Sequence, residues 1–288
     1  MTVPYTPHPA ITVADAALAA LAERHTRLRD ARTRFLADAD PDALHDVRVA
    51  IRRLRSARRL FRPDIGLPRR LRDREFRRVG RRLATLRDVD IVRGAVALAA
   101  ARIGRSAPAL AARLERRRGR LAARAHERLE GERMQRMLDA LAKWEAAPRF
   151  RVDPECTIHD VLPGRMQDAV TALVADPAWD LALEQDRTGA LRDDAGDLTS
   201  NQIGAVLHRL RRRAKRVRYQ VEVAAPLLAW DERAALAALV ELQDVLGELQ
   251  DVRVVEAWRD GLDHDERPRE EFDEWLVGRR QAALRRWR

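Results

Sequence analysis

The chain has 288 residues but only one cysteine, Cys156, and only two lysines, Lys143 and Lys215. A lone cysteine excludes an intramolecular disulfide and fits a reducing compartment. Aromatic residues make up 5% of the chain, and β-branched runs are scarce, which argues against a sheet protein. The longest apolar stretch, near 95–101, is far too short to span a bilayer. Residues Met1 to His8 contain no basic segment followed by an apolar one. No signal peptide is therefore expected, and the chain reads as cytoplasmic, with no membrane partner.

What is abundant points to helices. Hydrophobic residues make up 46% and charged residues 35%, enough apolar material for a sizeable core. Ala, Leu, Arg and Glu dominate, and these are good helix formers. The formal net charge is +11 and the isoelectric point about 11.0. A balance this basic implies an anionic partner. The cations are almost all arginine, whose planar fork binds phosphate through two hydrogen bonds. A base composition favouring Arg and Ala codons would raise the same count, so position has to carry the argument.

Position shows a repeat. His45-Asp-Val-Arg48-Val-Ala-Ile-Arg52-Arg53-Leu54-Arg55 aligns with His208-Arg-Leu-Arg211-Arg-Arg-Ala-Lys215-Arg216-Val217-Arg218, at an offset of 163 residues. The same offset places Leu83-Ala-Thr-Leu86-Arg-Asp88-Val89 on Leu246-Gly-Glu-Leu249-Gln-Asp251-Val252, and Arg116-Arg117 on Arg279-Arg280. Three blocks in one register indicate two homologous halves, 11–150 and 157–288. Together they form one domain, 11–288, behind an N-terminal tail, 1–10.

Each half reads as helical throughout. A first helix is expected from Val13 to Asp38. A second is capped by Asp40, has Pro41 in its first turn, and ends near Pro63. A third covers about 69–102, and a fourth follows Pro108. In the second half, Ser200 or Asn201 caps the basic helix, Pro226 ends or kinks it, and Asp231 caps the next. Residues 176–200 read as a less regular connection. Four helices per half suggest two four-helix bundles about a pseudo-twofold axis.

Along 41–62, Leu44, Val47, Ile51, Leu54 and Phe61 form an apolar stripe, and His45, Arg48, Arg52, Arg55, Arg59 and Arg62 form a basic stripe beside it. Arg58 interrupts the apolar stripe. The second half repeats the pattern with Leu207, Leu210, Ala214, Val217 and Val221 beside His208, Arg211, Lys215 and Arg218. Like charges at this spacing cost roughly 0.2–0.5 kcal/mol per pair, yet Val47 to Arg62 contains no acidic residue. The stripe from Arg48 to Arg62 is about 21 Å long, enough to follow several phosphates. If the halves pack face to face, the two stripes line one groove. His45 and His208 read as phosphate contacts or orienting groups. Asp88 and Asp251 read as partners that fix the third helix of each half to arginines of the second.

These motifs resemble the CHAD domain (conserved histidine α-helical domain). His45-x-x-Arg48-Val-x-x-Arg52-Arg53-Leu54-Arg55 followed by Leu83-Ala84-x-x-Arg87-Asp88 resembles its first half. His208-x-x-Arg211-x-x-x-Lys215-Arg216-x-Arg218-Tyr219 followed by Leu246-Gly247-x-Leu249-x-Asp251 resembles its second. Ala84 stands where the family often has glycine. The resemblance implies an all-α fold of two four-helix bundles with a central basic groove or pore. It implies binding of long-chain inorganic polyphosphate and association with polyphosphate granules; it does not imply catalysis, and the chain is expected to act without catalysis or a cofactor. By position the phosphate ligands would be Arg48, Arg52, Arg53, Arg55, Arg211, Lys215, Arg216 and Arg218, with Arg212 and the two histidines beside them. Arg59, Arg82, Arg116, Arg117, Arg279 and Arg280 would line the walls, and Tyr219 would donate its hydroxyl or pack.

Two other functions compete. A nucleic-acid binder would share the charge, but the stripes lack interleaved aromatics for base stacking, so only weak or non-specific binding is expected. His45-Asp46 would suit a metal-dependent phosphohydrolase. Arg209 replaces the aspartate in the second half, however, and the surrounding arginines repel a divalent cation. No metal site is expected. Serines are few and the cysteine lies in a loop-like stretch, so nucleophilic catalysis has no support.

Overall fold

Why the chain turns where it does is visible at its helix ends. In the computed structural model, which describes residues 11–38, 41–104, 108–177, 179, 200–262 and 270–287, nearly every described residue is helical. Helix α1 runs Val13–Asp38 and α2 runs Pro41–Leu60, as the sequence predicts. Asp40 and the span 180–199 lie outside the described residues. A 3-10 turn at Arg69–Leu71 leads into α3, Asp73–Ile103. Gly104, with φ of 71°, ends α3 in the left-handed conformation that glycine adopts without cost.

Where one helix is expected after Pro108, there are two: α4, Pro108–Glu130, and α5, Glu132–Ala146. Gly131 separates them. Its backbone is non-helical and it caps α5 without a side-chain hydrogen bond. A helix-period pattern continues across such a break, which is why the sequence does not reveal it. The second half holds α6, Ile158–Val174, then α7, Ser200–Leu228, α8, Arg233–Asp260, and α9, Glu270–Trp287. Pro226 sits in the last turn of α7, two residues before its end. Ala229 then takes φ of 52°, and the Trp230 amide donates to the Ala225 carbonyl at 3.1 Å. Asp231 accepts from the Arg233 amide at 3.3 Å at the start of α8.

By contacts the chain divides into two compact units. Unit one is Met1–Arg81, His126–Val170 and Tyr219–Arg233; unit two is Arg82–Ala125, Thr171–Arg218 and Ala234–Arg288. Each takes segments from both sequence halves, because α3, α4, α6 and α7 contribute residues to both units.

In unit one, α1 packs on α2, and the expected apolar stripe is buried in full: Leu44, Val47, Ile51, Leu54 and Phe61 are all at most 2% exposed. Burying such side chains stabilises by about 1.5–3 kcal/mol each. Two short backbone pairings hold the loop after α5 to the rest of this unit. Arg151 donates its amide to the Asp64 carbonyl and Gly66 to that of Arg149, both at 2.7 Å. The buried Asp64 carboxylate is clamped by Arg165, which also donates to the Leu60 carbonyl at 2.9 Å. In unit two, Val92, Val96 and Leu114 form a core with Val252, Val255, Phe272 and Leu276. Leu210, Ala214 and Val217 of α7 are buried as the second stripe requires. Among the described residues, no helix is long and apolar enough to cross a membrane.

Candidate functional site

In unit one the apolar side of α2 is spent on the core, so its basic side must face outward or meet other elements. Arg48, Arg52, Arg53, Arg55 and Arg59 are all half-buried, whereas His45 is exposed. Their neutralisation is uneven. Arg55 makes a two-pronged hydrogen bond to Asp73 at 2.9 and 3.2 Å, and Arg58 reaches the same carboxylate at 3.5 Å. Burial works to raise the Asp73 pKa. The Arg55 hydrogen bond and the charges of Arg55, Arg58 and Arg77 outweigh it and hold the carboxyl below its ordinary value. Arg53 donates to Glu222 at 3.1 Å and lies over the Tyr219 ring, 6.0 Å from its centroid. Tyr219 itself is buried. Arg52 differs. Among the described residues no carboxylate pairs with it, and its Nε is buried without a hydrogen-bond partner.

Beside this face, α1 and α2 enclose a cleft of about 340 Å³ lined by Arg24, Arg27, Arg34 and Arg53, with Asp30 and Asp46. Arg34 pairs with Asp46 at 2.6 Å. Arg24 is buried, which lowers its pKa. The sequence alone does not set these three arginines of α1 apart. Their spacing puts them on one face of a helix, but Glu23 and Asp30 lie among them and give α1 the look of an ordinary solvated surface.

In unit two, α7 presents His208, Arg211, Arg212, Lys215, Arg216 and Arg218. Helix α8 supplies their neighbours. His208 Nδ1 lies 3.0 Å from Gln250 Oε1, and Arg218 donates to Gln243 Oε1 at 3.4 Å. Arg211 stacks over Gly247, where an added Cβ would lie 3.3 Å from Nη2. Burial lowers the His208 pKa; the Gln250 hydrogen bond opposes this and the charges of Arg212, Arg211 and Arg253 reinforce it. Asp251 faces Arg211, Arg87, Lys215 and Arg279, and yet its pKa is raised, because burial outweighs these four cations. One buried carboxylate thus faces four cations.

Not every candidate joins these clusters. Arg279 approaches Asp251 and stacks on Trp275 at 5.5 Å. Arg280 is engaged by Glu256. Arg116 and Arg117 are exposed on α4. The Arg82 side chain lies outside the described residues. Among the described residues, no three His, Cys, Asp or Glu side chains come together as metal ligands.

A family model described as the CHAD domain matches residues 19–260. The fold is shared with the CHAD domain from the plant Ricinus communis, which is 22% identical with a TM-score of 0.65, covering 98% of this chain and 88% of that one. It is shared also with PptA from Streptomyces chartreusis, which is 15% identical with a TM-score of 0.65, covering 97% and 95%. No curated protein matches the chain. The all-helical fold, the two histidine-led arginine helices and the family match over most of the chain agree, and the protein belongs to the CHAD domain family.

Proposed function

We propose that this protein binds long-chain inorganic polyphosphate without catalysis, through the basic face of α2 in unit one and the basic face of α7 in unit two. The family is linked to polyphosphate binding. The observation that carries the reading is Arg52. A half-buried guanidinium without a carboxylate partner costs stability, and a phosphate oxygen would supply the missing counter-charge. Arg48 and Arg59 lie on the same helix at the same spacing. Arg55 contributes less, because a ligand would have to displace Asp73 from it. The arginine-rich α1 cleft extends the same positive surface in unit one.

On the α7 face, Arg211 and Lys215, which face the buried Asp251, act as phosphate ligands beside His208. The protein would then act at polyphosphate granules in the cytoplasm. A competition titration tests the ligand. Labelled long-chain polyphosphate is bound at near-physiological salt and challenged with unlabelled long-chain polyphosphate, double-stranded DNA, RNA and short polyphosphate at equal phosphate concentration. Efficient competition by long-chain polyphosphate alone supports the proposal. Equal or better competition by DNA or RNA contradicts it, because the charge then serves nucleic acid or any polyanion.

A further inference from the structure

We propose a second anion site in unit one, in the cleft between the 3-10 turn Arg69–Leu71, the start of α3 and the start of α5, which takes a compact ligand carrying two or more adjacent phosphate groups. The cleft has a volume of about 390 Å³. Five guanidiniums line it, those of Arg69, Arg70, Arg74, Arg133 and Arg136, against one carboxylate, Glu75. None of them belongs to the basic faces of α2 or α7.

Three separate chain segments bring these cations together, and each segment alone would leave them dispersed in solvent. Glu75 accepts from Arg133 at 2.5 Å and lies 3.3 Å from Arg74 Nε. The Arg133 hydrogen bond is the main reason its carboxyl stays below its ordinary pKa; slight burial opposes this, and the charges of Arg133, Arg78 and Arg74 add to it. Arg136 pairs with the exposed Glu132 at 2.8 Å. Arg69 and Arg70 are exposed, and among the described residues no carboxylate pairs with them. The lining therefore keeps a clear excess of positive charge.

The backbone adds to it. Helix α3 begins at Asp73 and α5 at Glu132, so two helix N-termini start beside the cleft. Gly131 offers α5 no side-chain cap; its carbonyl takes the Met134 amide at 3.0 Å, which leaves the Glu132 and Arg133 amides ahead of it to meet an anion.

Size and wall chemistry narrow the ligand. A volume of about 390 Å³ is in the range of small-molecule sites and too small for an extended polymer. Val79 and the buried Met137 form an apolar wall beside the arginines, against which a ring can lie. Two sources share the required chemistry: a nucleoside triphosphate and inorganic tripolyphosphate.

The experiment titrates the full chain with adenosine triphosphate and, separately, with tripolyphosphate, without divalent metal. It compares wild type with Arg69→Glu/Arg70→Glu, with Arg136→Ala and with Arg52→Glu. The expected result is saturable binding of one or both ligands, weakened at least about tenfold in the double variant and severalfold in Arg136→Ala, but retained in Arg52→Glu. Binding of the nucleotide alone identifies a nucleotide site, and equal binding of both identifies an oligophosphate site. Thermal melting verifies that the variants are folded; the side chains substituted in the cleft are exposed, and Arg136→Ala reports independently if the double variant does not fold. Failure of both ligands to bind wild type, or unchanged affinity in both cleft variants, overturns the proposal. The α2 face is a separate matter, since Arg52→Glu and long-chain polyphosphate report on it.

Discussion

The guanidinium of Arg211 lies over Gly247, so closely that a Cβ at position 247 would meet Nη2 at 3.3 Å. Gly247→Ala is therefore expected to separate stability from binding. The neighbour is the flexible end of a side chain, which shifts at little cost, while alanine gains about 0.5–1 kcal/mol over glycine inside a helix. The melting temperature should rise or hold. Polyphosphate affinity should fall by roughly threefold, about 0.7 kcal/mol, because Arg211 is displaced. Titration calorimetry and a thermal melt on the same preparation check both halves of this expectation.

Asp73 clamps Arg55 and Arg58 of α2 to the start of α3. Its carboxyl is held below the ordinary 3.8. The stabilisation is thus fully present above that value and is lost as the pH falls through the folded-state pKa. Asp73→Asn should cost about 1.5–3 kcal/mol at neutral pH and should flatten the acid limb of the melting profile. It should also release Arg55 to a ligand, so that polyphosphate binds the folded variant more tightly than wild type. Melting curves across acidic pH and a binding titration at neutral pH check this.

His208 titrates below the ordinary 6.5, with burial as the main cause. Its neutral form favours the folded state, and that contribution is lost as the pH falls through 6.5 towards the folded value. A bound phosphate would reverse the shift. Following the His208 ring by NMR during a pH titration, without and with polyphosphate, should show its pKa rise on binding. An unmoved value would give the ring a structural role only.

Ala229 ends α7 with φ of 52°, in the left-handed region, where Gly104 ends α3 at 71°. An L-residue there costs about 1–2 kcal/mol. Ala229→Gly recovers part of it, about 1 kcal/mol after the entropy of the new glycine, which corresponds to a rise of roughly 2–4 °C in melting temperature. Differential scanning calorimetry checks this, and polyphosphate affinity should not change.

Much of the fold is legible because it follows from one-dimensional rules. The spacing of Leu44, Val47, Ile51 and Leu54 identifies a buried face, Pro41 marks a helix start, and the basic stripe stands beside the apolar one. The break at Gly131 is not legible, since apolar periodicity resumes across it. Nor are the acids that quiet part of the stripe. The sequence shows no carboxylate between Val47 and Arg62, and so overstates the positive charge of α2. Glu222 and Asp73 arrive from other elements, and only tertiary structure brings them to Arg53 and Arg55. Arg24, Arg27 and Arg34 escape notice for the converse reason: acids adjacent in sequence make them look solvated, although they line a cleft with Arg53.

The most direct test of the account is the affinity for long-chain polyphosphate of wild type, Arg52→Glu and Lys215→Glu, measured as a function of salt. Electrostatic binding releases condensed counterions, so affinity should fall steeply and log-linearly with salt. Each charge reversal should weaken binding by about tenfold or more and reduce the salt slope by roughly one to two, with the melting temperature nearly unchanged. Unchanged affinity and slope in both variants would contradict the claim that the basic faces of α2 and α7 hold the phosphate chain.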